Sequence, residues 1–467
     1  MLQALLLPLA YQTKYYDQLV DHFGFGTATF RHRYLYNDTF WGTKGPLQNG
    51  CRGPILFYTG NEGPITSFYG SNGFMTDVLA PEFGALLVFA EERYYGTSQP
   101  QGTSGRFDYL STEMVLADYA ALITSLRKEL DAQNCPCIAF GGSYGGTLTT
   151  LFRLKYPHVV QGGLAASAPL GYYSQSYWAE RNVSATTWFS IVQRTYDNAG
   201  SGCYARLVAA VDLTNATVRA AGGPQRIQQT FGLCKPPSEP LDSFVYWLTE
   251  ALESIPQVDY PEANGGLPAN PAAAACALDW SSASSLSSLA TVVAWYYGVG
   301  PAGCIEDATN DQVGGGTPGD GPENRSAWGY QSCTETLHAF STTAGAWRSY
   351  EFNLPQLSDL CYSYYGVRPR LDQIEVWSGG YAIAEKKLTS NLIWSNGRRD
   401  PWSGGGFLRQ SDALPGGAVF VMEQTAHHHD LRLPIAADPP ELTAVRAKEM
   451  EIIRGWIVDA ARGELSG

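Results

Sequence analysis

The sequence predicts an α/β protein whose mostly parallel sheet is interrupted by a long, mainly helical insertion. Three observations point there. Short apolar runs alternate with helical patterns up to about residue 175. From 176 to 370 the apolar residues recur at helical spacing, and six of the nine cysteines fall in that stretch. After 390 the strand-like runs return. Strands alternating with helices imply a parallel sheet, and a change of period marks a different layer. The expected division is 14–175 and 371–467 for the sheet domain, with 176–370 as an inserted cap.

Pro54-Ile55-Leu56-Phe57-Tyr58-Thr59-Gly60 is an apolar run ending in a glycine turn and reads as a buried strand, as do residues 84–90. Residues 111–130 read as a helix, with Val115, Tyr119, Leu122 and Leu126 on one face and Glu113 in the first turn. Cys137-Ile138-Ala139-Phe140 is a third strand, followed by a helix over 147–155. In the insertion, Phe244, Trp247, Leu248 and Leu252 repeat at helical spacing, beside a serine-rich stretch at 281–288 and a Gly/Pro loop at 314–322. Residues 391–394 and 418–422 are strand-like. Residues 442–461 close the chain as an amphipathic helix with Val445, Ile452, Ile453, Trp456, Ile457 and Ala460 on one face.

Composition narrows the function. Among 467 residues, 31 basic and 44 acidic side chains leave a net charge of −13, with no cationic stripe for phosphates, so nucleic acid is an unsuitable partner. With 28 Tyr, 19 Phe and 12 Trp, the chain can bury a large core. It holds no apolar run of about 18 residues, the length of a membrane-spanning helix. The opening MLQALLLPLA reads either as the stub of a signal peptide or as a tail packed on the core. The cysteines form no C-x-x-C pair, which suits disulfides better than zinc. Glycosylation sequons begin at Asn37, Asn182, Asn215 and Asn324, and four together favour a secretory chain.

Gly141-Gly142-Ser143-Tyr144-Gly145-Gly146 follows the strand ending at Phe140 and contains G-x-S-x-G. A strand that turns sharply into a helix presents a serine hydroxyl at its end, and small flanking residues let the turn close. A serine nucleophile needs a base and an orienting acid. Of seven histidines, His427, His428 and His429 are consecutive and follow the strand ending near Met422. Consecutive side chains diverge and chelate poorly, so a base is the better reading than a metal site. Asp400, in Asp400-Pro401-Trp402, follows the strand at 391–394. The order Ser143, Asp400, His427 is that of the α/β-hydrolase fold.

With those residues in place, the chain resembles the serine peptidases that include lysosomal Pro-X carboxypeptidase and dipeptidyl peptidase II. The matching segments are Tyr16-Asp17-Gln18-Leu19-Val20-Asp21-His22-Phe23, Phe57-Tyr58-Thr59-Gly60-Asn61-Glu62-Gly63, Arg93-Tyr94-Tyr95-Gly96, the 141–146 elbow and Ala165-Ala166-Ser167-Ala168-Pro169. They continue with Trp328-Gly329-Tyr330-Gln331-Ser332-Cys333-Thr334-Glu335, Gly366-Val367-Arg368-Pro369-Arg370, Ser395-Asn396-Gly397 with 400–406, and Ala426-His427-His428 with Asp430-Leu431-Arg432. They run in family order from about 14 to 460.

The resemblance implies an α/β-hydrolase fold with a helical cap and cleavage after proline near a chain end. Ser143 becomes nucleophile, Asp400 orienting acid and His427 general base, with His428 and Arg432 in support. The backbone N–H of Tyr144 and a donor from the Gly60-Asn61 turn would form the oxyanion hole. Trp402 is a flat wall suited to a pyrrolidine ring. Family spacing pairs Cys203 with Cys276, Cys234 with Cys304, and Cys333 with Cys361, leaving Cys51, Cys135 and Cys137 unassigned. No cofactor or metal is implied. The expected partners are peptides with proline near a terminus; stable membrane insertion is not expected, and a homodimer is compatible with the chain. A secreted or lysosome-like destination follows.

Three departures bear on specificity. Arg398-Arg399 and Glu92 replace other residue types and are expected at the pocket rim. Gly329 stands where dipeptidyl members carry Asp, which favours a Pro-X carboxypeptidase over a dipeptidyl peptidase releasing N-terminal Xaa-Pro. An esterase or lipase on the same fold is the remaining alternative.

Overall fold

Eight strands build one sheet in the order β1-β2-β4-β3-β5-β6-β7-β8. They are β1 Gln12–Leu19, β2 Thr29–Asn37, β3 Ile55–Thr59, β4 Leu86–Ala90, β5 Cys137–Gly142, β6 Gly162–Ala166, β7 Leu392–Gly397 and β8 Ala418–Met422. β1 and β2 run antiparallel to their neighbours, and β4 through β8 are parallel. This is the α/β-hydrolase arrangement. The computed structural model describes residues 11–100, 106–300, 302–306 and 326–464. The 1–10 segment, the 314–322 loop and Asn324 lie outside them.

The central strands read as unbroken apolar runs because helices cover both faces. Along β3, Ile55 and Phe57 face one buried cluster while Leu56 and Tyr58 face the other. The helix Thr112–Glu129 covers the first face, begun by the Ser111 hydroxyl accepting from the Met114 N–H. The helix Pro440–Arg462 covers the second. Its Trp456 ring packs on β6, where a Cβ on Gly162 would stand 2.3 Å from it, and its indole N–H donates to the Gly416 carbonyl at 2.7 Å.

Between β6 and β7 the described chain is helical and forms no strand. Its larger helices are Thr187–Ala199, Cys203–Val218, Gly223–Phe231, Leu241–Ser254 and Ser285–Tyr297. Their apolar faces join the first sheet cluster in one continuous core. Disulfides join Cys203 to Cys276, Cys234 to Cys304, and Cys333 to Cys361. A fourth joins Cys51 to Cys135, and Cys137 remains a buried thiol. On the chain-entropy account, closing loops of 28 to 84 residues stabilises by roughly 3.5 to 4.5 kcal/mol each.

The structure corrects one glycosylation site. Asn37 ends β2, is buried, and donates its side-chain N–H to the Tyr69 hydroxyl at 2.9 Å, so its amide is not available to a glycan. Asn182 is exposed at a helix end, whereas Asn215 is half-buried within the helix Cys203–Val218 and accepts from Arg219.

Trp456→Ala should destabilise the protein by about 3–5 kcal/mol, through the lost ring volume and the orphaned Gly416 carbonyl. Urea denaturation of the purified variant checks this; a loss under about 1 kcal/mol would mean that the helix is held by other contacts.

Candidate active site

Ser143 sits between β5 and the helix Tyr144–Lys155 with φ 59° and ψ −128°, a strained turn for a side-chain-bearing residue. The helix begins at Tyr144, three residues earlier than its apolar pattern suggests. A Cβ on Gly141 would lie 2.1 Å from the Gly145 carbonyl oxygen, and one on Gly142 would lie 2.8 Å from the His428 ring. Those contacts require glycine at both positions. Ser143 donates its N–H to the Ala166 carbonyl at 2.9 Å, and its hydroxyl does not cap the helix.

Asp400 is fully buried after β7. Its Oδ1 accepts from the Trp402 N–H at 3.0 Å, and its Oδ2 lies 2.6 Å from His427 Nδ1. A carboxylate there sets the Nδ1–H tautomer. His427 Nε2 is then buried without a hydrogen-bond partner among the described residues. The next residue, His428, adopts φ 34°, donates its N–H to the Ser167 hydroxyl at 2.8 Å and lays its ring on Gly142, so this loop rests on the serine turn. Burial, first, and then the neighbouring His427 push the His428 imidazole well below its usual range.

The three histidines point to three places. His429 is buried against the Tyr260 ring, with Nε2 3.4 Å from Asp438. Arg432 does not touch His427. It pairs with Glu262 at 2.8 Å and stacks on Tyr260, whose hydroxyl donates to the His427 carbonyl at 2.9 Å. Its link to His427 thus passes through the cap residue Tyr260. Gln257, also from the cap, accepts from the His427 N–H at 3.0 Å and from the Trp402 indole at 3.1 Å. Sequence reasoning missed Gln257, Tyr260 and Glu262, because nothing local in the insertion signals a tertiary contact.

The Gly60-Asn61 turn packs on the same elbow. Thr59 Oγ1 donates to the Gly145 carbonyl at 2.8 Å, and a Cβ on Gly145 would lie 2.9 Å from Asn61 Oδ1. Asn61 donates to Glu62 at 2.8 Å, and burial raises the Glu62 carboxyl. Tyr144 N–H opens its helix, where the first amides have no intrahelical acceptor and the dipole is positive.

Trp402 stands in an aromatic cluster with Tyr172, Trp188, His338 and Phe340 at ring separations of 5.0 to 6.2 Å. The expected rim residues lie elsewhere. Glu92 is fully buried and accepts from Gln331 at 2.9 Å, and Gln331 donates also to the Tyr144 hydroxyl at 3.1 Å. Burial and then Glu62 push its carboxyl well above the usual range. Arg398 and Arg399 line a polar cavity of about 550 Å³ with Arg194, Asp259 and Glu423.

The arrangement sets a buried imidazole, oriented by a carboxylate, in a loop packed on the serine turn. The sequence profile of the family described as serine carboxypeptidase S28 matches residues 18–449. The lysosomal Pro-X carboxypeptidases of Pongo abelii and Homo sapiens are each 37% identical over 96% of this chain and 89% of their own length. A solved structure, a proline iminopeptidase from Mycobacterium smegmatis, aligns over 97% of this chain and 100% of its own at 12% identity, with a TM-score of 0.40.

Glu335 gives a pH test of the buried acids behind the elbow. Burial pushes its carboxyl up to about 7, despite hydrogen bonds from the Thr112 N–H and hydroxyl. Unfolded, it titrates near ~4.3. Between those values the folded chain keeps a proton that the unfolded chain releases, so stability falls as pH rises through the window. Glu335→Gln, measured by urea denaturation from about pH 4 to 8, should remove that part of the slope. An unchanged slope would show that Glu335 ionises freely in the fold.

Proposed function

Because the chain belongs to the serine carboxypeptidase S28 family, we propose that Ser143, His427 and Asp400 are the catalytic residues of its peptidase reaction. The protein is a serine-type exopeptidase acting near proline. The observation that carries the assignment is the 2.6 Å contact of Asp400 with His427 Nδ1, which leaves Nε2 unpaired in a loop packed on the Ser143 turn. Ser143 Oγ attacks the prolyl carbonyl carbon while Nε2 takes the hydroxyl proton. The negative oxygen of the tetrahedral intermediate is received by the Tyr144 N–H and the Gly60-Asn61 turn. The C–N bond then breaks, and the imidazolium delivers its proton to the leaving amine. Water repeats the sequence on the acyl-enzyme and frees the acid. Asp400 fixes the tautomer and stabilises the imidazolium throughout.

The terminus recognised is a free C-terminus, so the activity is that of a Pro-X carboxypeptidase. Gly329 supports this: it offers no acid to an ammonium, and a Cβ there would stand 2.2 Å from the Tyr365 hydroxyl. Glu92, the acid that reaches this segment through Gln331, is driven by burial towards its neutral form, which does not hold an ammonium. The four disulfides and the lysosomal relatives support a secretory route to a lysosome-like compartment. Among the described residues no helix is long and apolar enough to cross a membrane.

Ser143→Ala and His427→Ala should each lower kcat by about 10⁴-fold or more, since nucleophile and base act as one unit. His429→Ala should keep most turnover but melt earlier, because its buried ring packs on Tyr260 rather than on the reacting atoms. Steady-state kinetics with thermal melts separate the two effects; a folded but inactive His429→Ala protein would overturn the assignment.

Two peptides decide the terminus. One carries proline penultimate to a free C-terminus with a blocked N-terminus, the other proline second from a free N-terminus with an amidated end. The first should be cleaved and the second spared; the reverse would make the protein a dipeptidyl peptidase.

A further inference from the structure

The aromatic cluster around Trp402 contains two buried polar atoms with no hydrogen-bond partner among the described residues, Trp188 Nε1 and His338 Nε2. The His338 ring stacks on Phe340 at 5.4 Å and 9°, and meets Trp402 edge-on at 5.0 Å. Tyr173 and Trp328 each lie 5.9 Å away. His338 Nε2 is buried and has no hydrogen-bond partner among the described residues. The cluster touches the residues beside the proposed triad on two sides. Trp328 packs edge-on against Tyr144, the residue after the nucleophile, at 5.6 Å. Trp402 donates its backbone N–H to Asp400.

A phenylalanine or methionine would fill this position without leaving a buried nitrogen unpaired, a state that costs about 1–3 kcal/mol. The nitrogen therefore points to a partner that arrives with the substrate. Burial lowers the His338 imidazole to about 4, so the ring is neutral in mildly acidic and neutral solution. A neutral imidazole pairs with a hydroxyl or amide and has no charge to offer a terminal carboxylate. Aromatic walls suit the flat apolar faces of a pyrrolidine ring. A ring hydroxyl is the smallest group that would add a hydrogen-bonding atom and keep that shape.

We propose that His338 is a specificity residue whose Nε2 pairs with the ring hydroxyl of a 4-hydroxyprolyl residue, so that the pocket accepts hydroxylated as well as plain proline. This rests on the reading that the Trp402 cluster holds the prolyl ring of the bond to be cleaved. Peptides from hydroxyproline-rich proteins form the corresponding substrate class.

The test uses the purified full chain and peptides that differ only at the prolyl residue: proline, trans-4-hydroxyproline or cis-4-hydroxyproline. The readout is the ratio of kcat/KM for each hydroxylated peptide to that for proline, which cancels any loss of folded enzyme. In the unaltered protein one hydroxyproline isomer should be cleaved at least as well as proline and the other poorly, because the nitrogen faces one side of the ring. His338→Phe and His338→Met should each lower the favoured ratio by about five- to fiftyfold. A ratio unchanged in both variants would overturn the proposal, as would rejection of both isomers by the unaltered protein. So would an equal fall for all three peptides, which would place the nitrogen on the peptide backbone. Failure to cleave even the proline peptides would remove the prolyl-pocket reading itself, and this inference with it.

Discussion

The backbone turn at Ser143 is the constraint around which the site is built. A non-glycine residue at φ 59° and ψ −128° costs about 1–3 kcal/mol and persists only where its surroundings allow no alternative. Three strands supply that restraint. β5 delivers the chain to the turn, β6 accepts the Ser143 N–H through Ala166, and β3 reaches across through Thr59 to the Gly145 carbonyl and to Thr149 Oγ1 at 2.9 Å. The strain keeps the hydroxyl at the strand end, outside the helix whose first turn it would otherwise cap. The small residues of β6, Gly162-Gly163-Leu164-Ala165-Ala166, belong to the same restraint. They let the elbow helix and the C-terminal helix close on opposite faces, with Thr149 against Gly163 and Trp456 against Gly162.

The loop of His427 is held from two directions, and neither hold is local. From above, the cap grips both backbone polar groups of His427, with Gln257 accepting its N–H and Tyr260 donating to its carbonyl. From below, Arg446 of the C-terminal helix gathers the carbonyls of His429, Asp430 and Arg432, and also pairs with Asp438. A histidine fixed in this way pays little conformational entropy when the imidazolium forms. The insertion therefore helps to fix the His427 loop as well as covering it. Trp402 shares Gln257 with His427, so the indole and the imidazole loop are positioned by one cap residue.

Electrostatics near the reacting atoms favour neutral neighbours. Tyr144 is linked through Gln331 to Glu92 and through Thr112 to Glu335, and burial raises both carboxyls. Were these glutamates ionised, their charge would oppose the oxyanion proposed to form beside Tyr144. On the other side, His428 touches the His427 ring at 4.5 Å, and its own imidazole is pushed towards the uncharged form. It therefore adds no cation beside the His427 ring. The same low dielectric that makes an unpaired buried charge costly thus keeps the surroundings from working against the transition state.

The sequence made legible those parts of the fold that rest on local pattern. Residues 54–60 and 84–90 read as strands because both faces are covered, and the 141–146 elbow is legible because its glycines are forced by close packing. β1, β2 and β6 were not read as strands. β1 is an edge strand with little buried surface, so it carries no alternation to read, and β6 is made of residues with weak strand preference whose smallness answers to Trp456 and Thr149. Family resemblance supplied what pattern could not, separating His427 from His428 and His429, which composition alone leaves equivalent. It was less informative at Glu92. There the expected rim residue is an interior acid, because a position's neighbours in the fold, rather than its neighbours in the chain, decide whether a carboxyl meets solvent. Several motif residues owe their identity to such burial. Arg93 has no exposure and grips Asp118 with two 2.7 Å contacts, while His22 meets the same carboxylate at 2.7 Å. These contacts dock the segment after β1 onto the helix Thr112–Glu129. The motifs at 16–23 and 93–96 therefore carry the resemblance away from Asp400 and His427: they hold the N-terminal hairpin to the sheet that presents Ser143.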